Sequence, residues 1–460
     1  MDDFRKEYDS LGEVRVPSGA LYGAQTRRAM DNFRISGIKF PRVFIRSISL
    51  IKAAAAEVNS ELGLIESGLA SAIKAAADET AAGLWDDQFP VDVFQTGSGT
   101  STNMNANEVI ANRAMQVLGG VTKVHPNDHV NRCQSSNDVV PSAVSIGAYL
   151  EVRDKLMPAL KTLSLSLDKR SGELKDVIKT GRTHLMDAVP LTMGQEIGGW
   201  AFQVSQCIER ISSCLPRLAM LAIGGTAVGT GMNAHPEFGK RTAARLSAMT
   251  GLPLVESPDH FAAQSSMDAA SELSGHLKVS ASCLLKIAND LRWMSSGPIA
   301  GLNEISLPAL QPGSSIMGGK MNPVACEAVM MACVQIIAND TAVAIANSFG
   351  NFQLNTMMPL IAHNLLESLA LLGNSAEMLS EKVVEGFTVN SRRLASLLEL
   401  NPILATALGP IVGHEMTAEI VEKARAEGRS FREVAAEISG LPEAELDKIF
   451  SPKNLTGSGS

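Results

Sequence analysis

Long segments with the apolar periodicity of helices run from Asp138 to about residue 390, and they constrain the fold more than any other feature. Only 4% of the residues are aromatic, whereas alanine, leucine and methionine are plentiful, which favours packed helices over sheets. Several segments exceed the usual helix length of roughly 11 to 12 residues. We therefore expect an all-α fold with a helical bundle that other copies of the chain extend. The periodicity predicts bundle helices near 142–172, 193–220, 236–250, 262–295, 324–350 and 358–386.

At 460 residues, the chain exceeds the size at which a single hydrophobic core stops growing. We predict three domains: an N-terminal domain at 1–137, a central helical bundle at 138–390 and a small helical domain at 391–460. The predicted helices outside the bundle are Ile45–Leu62, Ile65–Leu84, about Met104–Leu118, Thr417–Glu427 and Phe431–Ile438.

Charge and cysteine content exclude several classes of function. The net charge of -8 and the lack of a Lys/Arg-rich run argue against nucleic acid as a partner. The acidic N-terminus is neither a signal nor a transit peptide, and no segment approaches membrane-spanning length, so we expect no membrane association and a cytoplasmic location. The six cysteines form no metal-ligand or CxxC pattern and are expected to be buried free thiols. No metal and no cofactor are expected.

The run Ile223–Gly231 (IGGTAVGTG) has the glycine content of a nucleotide-binding loop. It lacks the preceding strand, the downstream acidic residue and the Gly-Lys-Ser/Thr of such sites. We therefore interpret it as a link between bundle helices, with a nucleotide-binding module as the less favoured alternative.

Four blocks are dense in hydroxyl, amide and histidine side chains. Their residue types suit the binding of a small anion, because hydroxyls and amides bind charge without the desolvation cost of many buried cations. The fourth block also combines two adjacent serines, a glycine pair and a lysine, as in a loop that closes over a substrate. The blocks are Gln95–Asn105 (QTGSGTSTNMN), His125–Asp138 (HPNDHVNRCQSSND), Gly181–Glu196 (GRTHLMDAVPLTMGQE) and Gly313–Pro323 (GSSIMGGKMNP).

Together these blocks resemble the fumarase/aspartase superfamily, and in detail the class II (iron-independent) fumarases. The resemblance extends from Gly12–Pro17 (GEVRVP) to Ser451–Leu455 (SPKNL). It implies a three-domain helical fold and a homotetramer with a twenty-helix core, in which three chains contribute to each active site. The implied substrate is a small dicarboxylate and the implied reaction is the reversible hydration of fumarate to (S)-malate.

The resemblance also implies residue roles. Ser314 matches the serine base that removes the C3 proton, which a serine can do only as an oxyanion stabilised by amides and a cation such as Lys320. His184 matches the histidine that activates the water, and Glu327 matches the carboxylate that orients this histidine.

Two further groups of residues match binding positions of the family. The first is expected to hold the substrate carboxylates, and the second matches a weaker anion site near the entrance, for which a structural turn is an alternative interpretation. The expected substrate-binding residues are Ser98, Thr100, Ser135, Ser136, Asn137, Thr183, Lys320 and Asn322, and those of the second anion site are His125, Asn127 and Asp128.

The chain departs from the fumarase pattern at Gly318, where proline is usual, and at Met321, where valine is usual. The glycine predicts a loop that loses more conformational entropy on closing. The alternative activity is aspartate ammonia-lyase, since aspartases share the sequence from Ser101 to Asn107. The TGSGT and SSND sequences and the His-Pro-Asn-Asp run favour the hydratase, and the intact Ser314 and His184 argue against a catalytically silent relative.

Overall fold

A computed structural model of the protein describes residues 4–313 and 316–457. Most of these residues are helical, which confirms the predicted all-α class. The helices are α1 (Ala24–Asn32), α2 (Arg42–Glu61), α3 (Ser67–Ala82), α4 (Thr100–Val117), α5 (Ser136–Glu151), α6 (Met157–Glu173), α7 (Met193–Leu218), α8 (Phe238–Thr250), α9 (His260–Ser265), α10 (Asp268–Met294), α11 (Val324–Asn347), α12 (Met358–Leu379), α13 (Ser391–Glu399), α14 (Gly409–Val412), α15 (His414–Glu427), α16 (Phe431–Ser439), α17 (Glu443–Ile449) and α18 (Pro452–Leu455).

Short two-stranded sheets accompany the helices and were not predicted. Two of them are hairpins with strands of six or seven residues, one formed by β1 and β2 and the other by β3 and β4. The strands are β1 (Phe4–Asp9), β2 (Gly12–Pro17), β3 (Ile178–Thr183), β4 (Met186–Thr192), β5 (Met220–Leu221), β6 (Val255–Glu256), β7 (Ile305–Ser306), β8 (Gly350–Asn351), β9 (Leu354–Asn355) and β10 (Thr388–Val389). The sheets pair β1 with β2, β3 with β4, β5 with β6, β7 with β10 and β8 with β9.

The predicted bundle helices are present. The range 142–172 holds α5 and α6, which the π-helical residues Val152–Leu156 join without interruption, whereas the predicted helix at 262–295 is interrupted. Two helices occupy this last range, because Ser266 has an extended backbone between α9 and α10. Asn347 stabilises the break, since its Oδ1 accepts the Met267 N–H at 2.7 Å and its Nδ2 donates to Asp268 Oδ1 at 2.8 Å. A side chain from a distant helix thus supplies the hydrogen bonds that periodicity cannot anticipate.

The chain folds into two compact units, each made of three segments. The first unit comprises 1–158, 207–281 and 333–373, and the second comprises 159–206, 282–332 and 374–460. The predicted division at 137 and 390 stays a prediction.

Small side chains make the core of the first unit. Ala53, Ala76 and Ala114 are fully buried together with Ile73 and Ile110, so that α2, α3 and α4 pack closely. In the second unit, the C-terminal helices enclose their own cluster around Leu408, Ile420 and Phe431. The Phe431 ring meets Phe450 edge to face, with centroids 5.7 Å apart.

None of the six cysteines, all of which the structure describes, is in a disulfide, as predicted, although Cys283 is only partly buried. The expectation that no segment reaches membrane-spanning length is wrong for α11. This helix of 24 residues has a mean hydropathy of 1.7 over its most apolar stretch, and by length and composition it is able to cross a membrane. A single such helix is weak evidence for a membrane protein, and its Asp340 is bound to Ser274 and Lys278.

Asp92 fixes the approach to the first polar block. Its buried carboxylate accepts the N–H groups of Ser36 and Gly37 at 2.7 Å and that of Phe94 at 2.8 Å. Burial by itself raises the pKa of Asp92, but these backbone donors outweigh it and lower the pKa from 3.8 to about 2.

We expect Asp92→Asn to lower the free energy of unfolding by about 2 kcal/mol at neutral pH, the equivalent of that pKa shift. Because the folded-state pKa is depressed, this stabilisation is complete well above pH 3.8 and is lost as the pH falls toward 2, with roughly half remaining at pH 3. Urea unfolding of both proteins at pH 6 and pH 3 measures it. Asp87→Asn, at an exposed carboxylate, is the control and should change little at either pH. A difference that does not depend on pH would contradict this account.

Candidate active site

The first polar block consists of a tight turn, which ends at Gly99, and the first residues of α4. Gly99 precedes the helix with φ of 74°, and Thr100 is its first residue. The Ser98 hydroxyl bonds to the Thr100 hydroxyl at 2.8 Å. A side chain at Gly97 would collide with the carbonyl oxygen of Thr356, 2.0 Å from its Cβ, so the glycine is required for packing. The predicted binding residues Ser98 and Thr100 thus lie at a positively polarised helix end.

The second polar block ends in the first turn of α5. Ser135 is the N-cap of this helix and forms a reciprocal capping box with Asp138. Ser136 and Asn137 occupy the first turn, and Asn137 Nδ2 donates to the Ala227 carbonyl at 2.8 Å. These three predicted binding residues are therefore held by local capping and by one contact with a distant loop.

A hydrogen bond joins the two helix N-termini. Asn103, one turn into α4, donates its Nδ2 to Ser136 Oγ at 3.0 Å and lies 3.3 Å from Asn131 Oδ1. The structure thus brings the first and second blocks together. Side chains of the two blocks already accept the N–H groups of Ser101, Thr102 and Asn137. The partial positive charge of both helix ends, together with the hydroxyl and amide side chains there, makes their junction suited to binding an anion.

A buried lysine lies beneath this junction and was not anticipated from the sequence. Lys52 is fully buried, and its Nζ donates to Asn131 Oδ1 and Gln134 Oε1, each at 2.9 Å. Burial lowers the pKa of Lys52 to about 7, against the opposing charge of Asp138. The sequence could have indicated this buried lysine only by the position of a cation among the apolar residues of α2.

The glycine run at 223–231 connects α7 to α8, as interpreted from the sequence. Its backbone surrounds the buried carboxylate of Asp138, to whose Oδ2 Gly224 N and Thr226 N donate at 3.1 and 2.9 Å. At Gly225, a Cβ would lie 2.1 Å from Gln264 Oε1. Burial raises the pKa of Asp138 to about 6, although the backbone donors and Lys52 oppose the shift. The loop therefore binds a carboxylate of the chain itself, and the absence of a side chain at Gly225 leaves room for Gln264.

The residues of the predicted second anion site form a local turn. His125 Nδ1 accepts the N–H groups of Asn127 and Asp128 at 3.3 and 3.1 Å, and it lies 3.2 Å from Asp128 Oδ2. The imidazole thus already occupies the backbone donors that an anion would use. This geometry favours the structural interpretation of the turn, and the anion site stays a prediction.

The third block forms the hairpin of β3 and β4, and its two-residue turn is His184–Leu185. Both residues have positive φ, 57° and 61°, as the central residues of a type I′ turn do. This turn prefers Asn-Gly, and two non-glycine residues in it are strained by about 1–3 kcal/mol each. Thr183 and His184 are exposed at the tip. An energetically unfavourable turn that displays a histidine is typical of a functional site.

An ion-pair cluster lies along strand β3 of this hairpin, from Lys179 to Arg182 next to the turn. Arg182 donates Nη1 and Nη2 to the two carboxylate oxygens of Glu304, both at 2.7 Å. Lys179 Nζ lies 2.7 Å from Glu304 Oε2 and 2.6 Å from Glu196 Oε2. Burial raises the pKa of Glu304, but Arg182 and Lys179 outweigh burial and bring this pKa below its ordinary value. The sequence showed no partner for either cation.

The fourth block lies in a loop before α11, and its predicted base, Ser314, lies outside the described residues together with Ser315. Asn322 Nδ2 donates to the Gly313 carbonyl at 2.6 Å, which closes the loop. Lys320 is exposed, and its ammonium group has no hydrogen bond or ion pair among residues 4–313 and 316–457. Lys320, a cation with no partner among the described residues, therefore lies close in sequence to the predicted base.

Glu327 lies in the first turn of α11 and is exposed. Within the described part of the chain, no hydrogen bond or ion pair joins it to His184. The predicted pairing of these two residues is thus not made within the described single chain. No cluster of three or more His, Cys, Asp or Glu side chains suited to a metal was found in the part of the chain that the structure describes.

Comparison with known proteins decides the family. A lyase family model matches residues 12–338, and a model of the fumarase C C-terminus matches residues 404–457. The chain belongs to the class II fumarase family. It is 53% identical over 458 residues to a class II fumarate hydratase of Xylella fastidiosa, covering 100% of this chain and 96% of that protein. It is 52% identical to class II fumarate hydratase 2 of Pseudomonas aeruginosa, covering 100% of both. The crystal structure of class II fumarase from Schistosoma mansoni matches with a TM-score of 0.95 and 38% identity, covering 99% of this chain and 100% of that one.

The glycine pair of the fourth block forms a turn that has room for the proline expected at residue 318 from the resemblance. Lys320 N donates to Met317 O at 3.3 Å, and Gly319, the third residue of this turn, has φ of 79°. Of the two central residues of the turn, only Gly319 has a positive φ, which is typical of a type II turn. Proline is favoured at the second residue of such a turn, which here is Gly318. A Cβ at Gly318 would meet no atom within 4 Å.

We therefore expect Gly318→Pro to tighten the binding of a non-reacting dicarboxylate such as succinate by about 0.4–1 kcal/mol, or roughly two- to fivefold, because the open loop has less entropy to lose. Isothermal titration calorimetry measures the affinity. Gly319→Pro is the matched control and should weaken binding, because proline cannot adopt its positive φ. Weaker binding by Gly318→Pro would show that the loop closes along another path.

Proposed function

We infer that the chain is a fumarate hydratase, a hydro-lyase that interconverts fumarate and (S)-malate. The observation that carries this inference is the junction of the α4 and α5 N-termini, where Thr100, Ser136 and Asn137 present hydroxyl and amide groups. Two polarised helix ends suit the carboxylate of a small dianion. The names of the relatives, with about half of all residues identical along the whole chain, support fumarate as that dianion.

In the proposed mechanism, the substrate carboxylates are bound by Ser98, Thr100, Ser135, Ser136, Asn137, Thr183, Lys320 and Asn322. Ser314 removes the C3 proton of malate, and the negative charge that develops on the adjacent carboxylate is stabilised by these donors. His184 transfers a proton to the departing hydroxyl, and in the reverse direction it activates the water. No step requires a metal or a cofactor.

We further propose that copies of the chain assemble as a homotetramer and that the active site uses more than one chain. Only 33% of the most apolar stretch of α11 is buried within the chain. Met331, Val334 and Ile345 on this helix are more than half exposed. Covering this apolar surface by other copies is favourable by the hydrophobic effect. Such packing also provides Glu327 of one copy as the partner for His184 of another. We propose that packing between copies in a cytoplasmic enzyme, and not a membrane, covers the apolar surface of α11.

The activity is tested by following the absorbance of fumarate with malate and, separately, with aspartate as the substrate. We expect fumarate to form from malate and not from aspartate. Formation from aspartate with release of ammonia would instead establish the alternative, aspartate ammonia-lyase. Failure of both substrates would refute the proposed function.

The role of the serine base is tested with Ser314→Ala. We expect kcat for malate to fall at least about a hundredfold, the lower range for general base catalysis, since no other group is proposed to take the C3 proton. Succinate affinity and the oligomeric state by gel filtration should change little, because the variant keeps the carboxylate-binding groups. Ser315→Ala, at the adjacent hydroxyl, is the matched control and should retain most activity. Equal losses in the two variants would show that Ser314 has no special role.

A further inference from the structure

We propose that the ion-pair cluster of Lys179, Arg182 and Glu304 aims the His184 imidazole, and that Arg182 is the positioning residue through which it acts. The inference rests on the proposed function, because it concerns a histidine that acts in that reaction.

The first argument concerns the stability of the hairpin that bears His184. An isolated two-stranded hairpin is marginally stable, and this one has a strained turn in place of the favoured Asn-Gly. The strands also change register between Thr180 and Arg182, where Gly181 has no room for a side chain: a Cβ would lie 2.5 Å from the Val189 carbonyl oxygen. The hairpin alone would therefore populate several turn conformations, and something outside it must select one.

The second argument concerns the external contact that lies nearest the turn in sequence, since Asn401 binds the hairpin farther from it, at Thr180 Oγ1 and the Ala188 carbonyl. Arg182 is two residues before His184, and its guanidinium binds both oxygens of Glu304, so that the pair has one preferred relative orientation. Glu304 is itself anchored, because its N–H donates to Met294 O at 2.8 Å and its carbonyl accepts the Asn390 N–H at 2.9 Å. The hairpin tip is thus tied to the end of α10 and to the segment after β10.

The third argument concerns the choice of charged residues. The side chains of Lys179 and Glu304 are 0% and 1% exposed, so placing these charges there has a large desolvation cost. Apolar residues of similar volume would stabilise the fold at least as well. A bidentate ion pair provides directionality that apolar packing does not. Directionality at this point serves the residue that the hairpin displays, which is His184.

The test is a double-mutant cycle of Arg182→Lys and His184→Asn, with kcat and KM for malate measured in all four proteins. Lysine keeps the charge of residue 182 and the possibility of an ion pair with Glu304, but it cannot reproduce the two parallel N–H···O bonds. If Arg182 acts through His184, Arg182→Lys should lower kcat at least tenfold in the wild-type background. In the His184→Asn background it should lower kcat no further.

Arg113→Lys is the matched control, because Arg113 makes a bidentate pair with Glu79 at 2.6 and 2.9 Å that lies outside the proposed site. Its kcat should stay within about twofold of the wild type. Glu304→Asp is a second route to the same test: the shorter carboxylate keeps its charge beside Lys179 but withdraws from Arg182, and it should show the same dependence on His184. If Arg182→Lys does not fold, this variant replaces it in the cycle.

Three results would overturn the proposal. Equal losses of kcat in the wild-type and His184→Asn backgrounds would show that the cluster only stabilises the fold, as would a loss in Arg113→Lys as large as that in Arg182→Lys. A wild-type protein that does not convert malate would refute the proposed function itself, and the positioning role with it. The cycle thus separates failure of the cluster from failure of the function.

Discussion

The α4–α5 junction depends on the hydrogen bonds that the buried carboxylate of Asp138 accepts. This carboxylate binds the N–H groups of Ser135, Gly224 and Thr226, which belong to two segments far apart in the chain. A buried carboxylate without such donors would be costly, and the first turn of α5 would lack its anchor. Because Asp138 lies in that first turn, its bonds also fix Ser136 and Asn137. The glycines of the loop at 223–231 meet a separate packing requirement, since a Cβ at Gly224 would lie 2.7 Å from Gly239 Cα and one at Gly225 would lie 2.1 Å from Gln264 Oε1.

The two units of the chain position their polar groups in different ways. In the first unit, the polar groups lie at helix N-termini, so the helices themselves set their direction. Capping by Ser135 stabilises the N-terminus of α5. In the second unit, a strained hairpin displays His184, and the pair of Arg182 with Glu304 ties this hairpin to the rest of the unit together with Asn401, which donates to Thr180 and Ala188. Both arrangements fix the groups before a substrate binds, which is the condition for electrostatic stabilisation of a transition state without reorganisation.

Much of the helical fold could be predicted, because helix formation follows a periodicity that is local in sequence. The helices α2, α3, α7 and α8 lie close to their predicted positions. The errors in the prediction concern a helix break, an apolar helix and a hairpin. The break at Ser266 depends on Asn347, and the apolar stretch of α11 was overlooked as a segment of membrane-spanning length. The hairpin of β3 and β4 was missed because its turn, His184–Leu185, has none of the glycine or asparagine that signals a hairpin.

The sequence by itself determined the helical class, the positions of the four polar blocks and, by resemblance, the family, because each depends on residue types and spacing along the chain. It also indicated that the run at 223–231 is a link and not a nucleotide-binding loop. Only the tertiary structure decided that the α4 and α5 N-termini adjoin, that Lys52 lies beneath them and that Glu304 anchors the hairpin of His184. These contacts join residues up to 125 positions apart, as between Lys179 and Glu304. Neither propensity nor periodicity encodes which distant side chains meet, since packing of the whole core selects them.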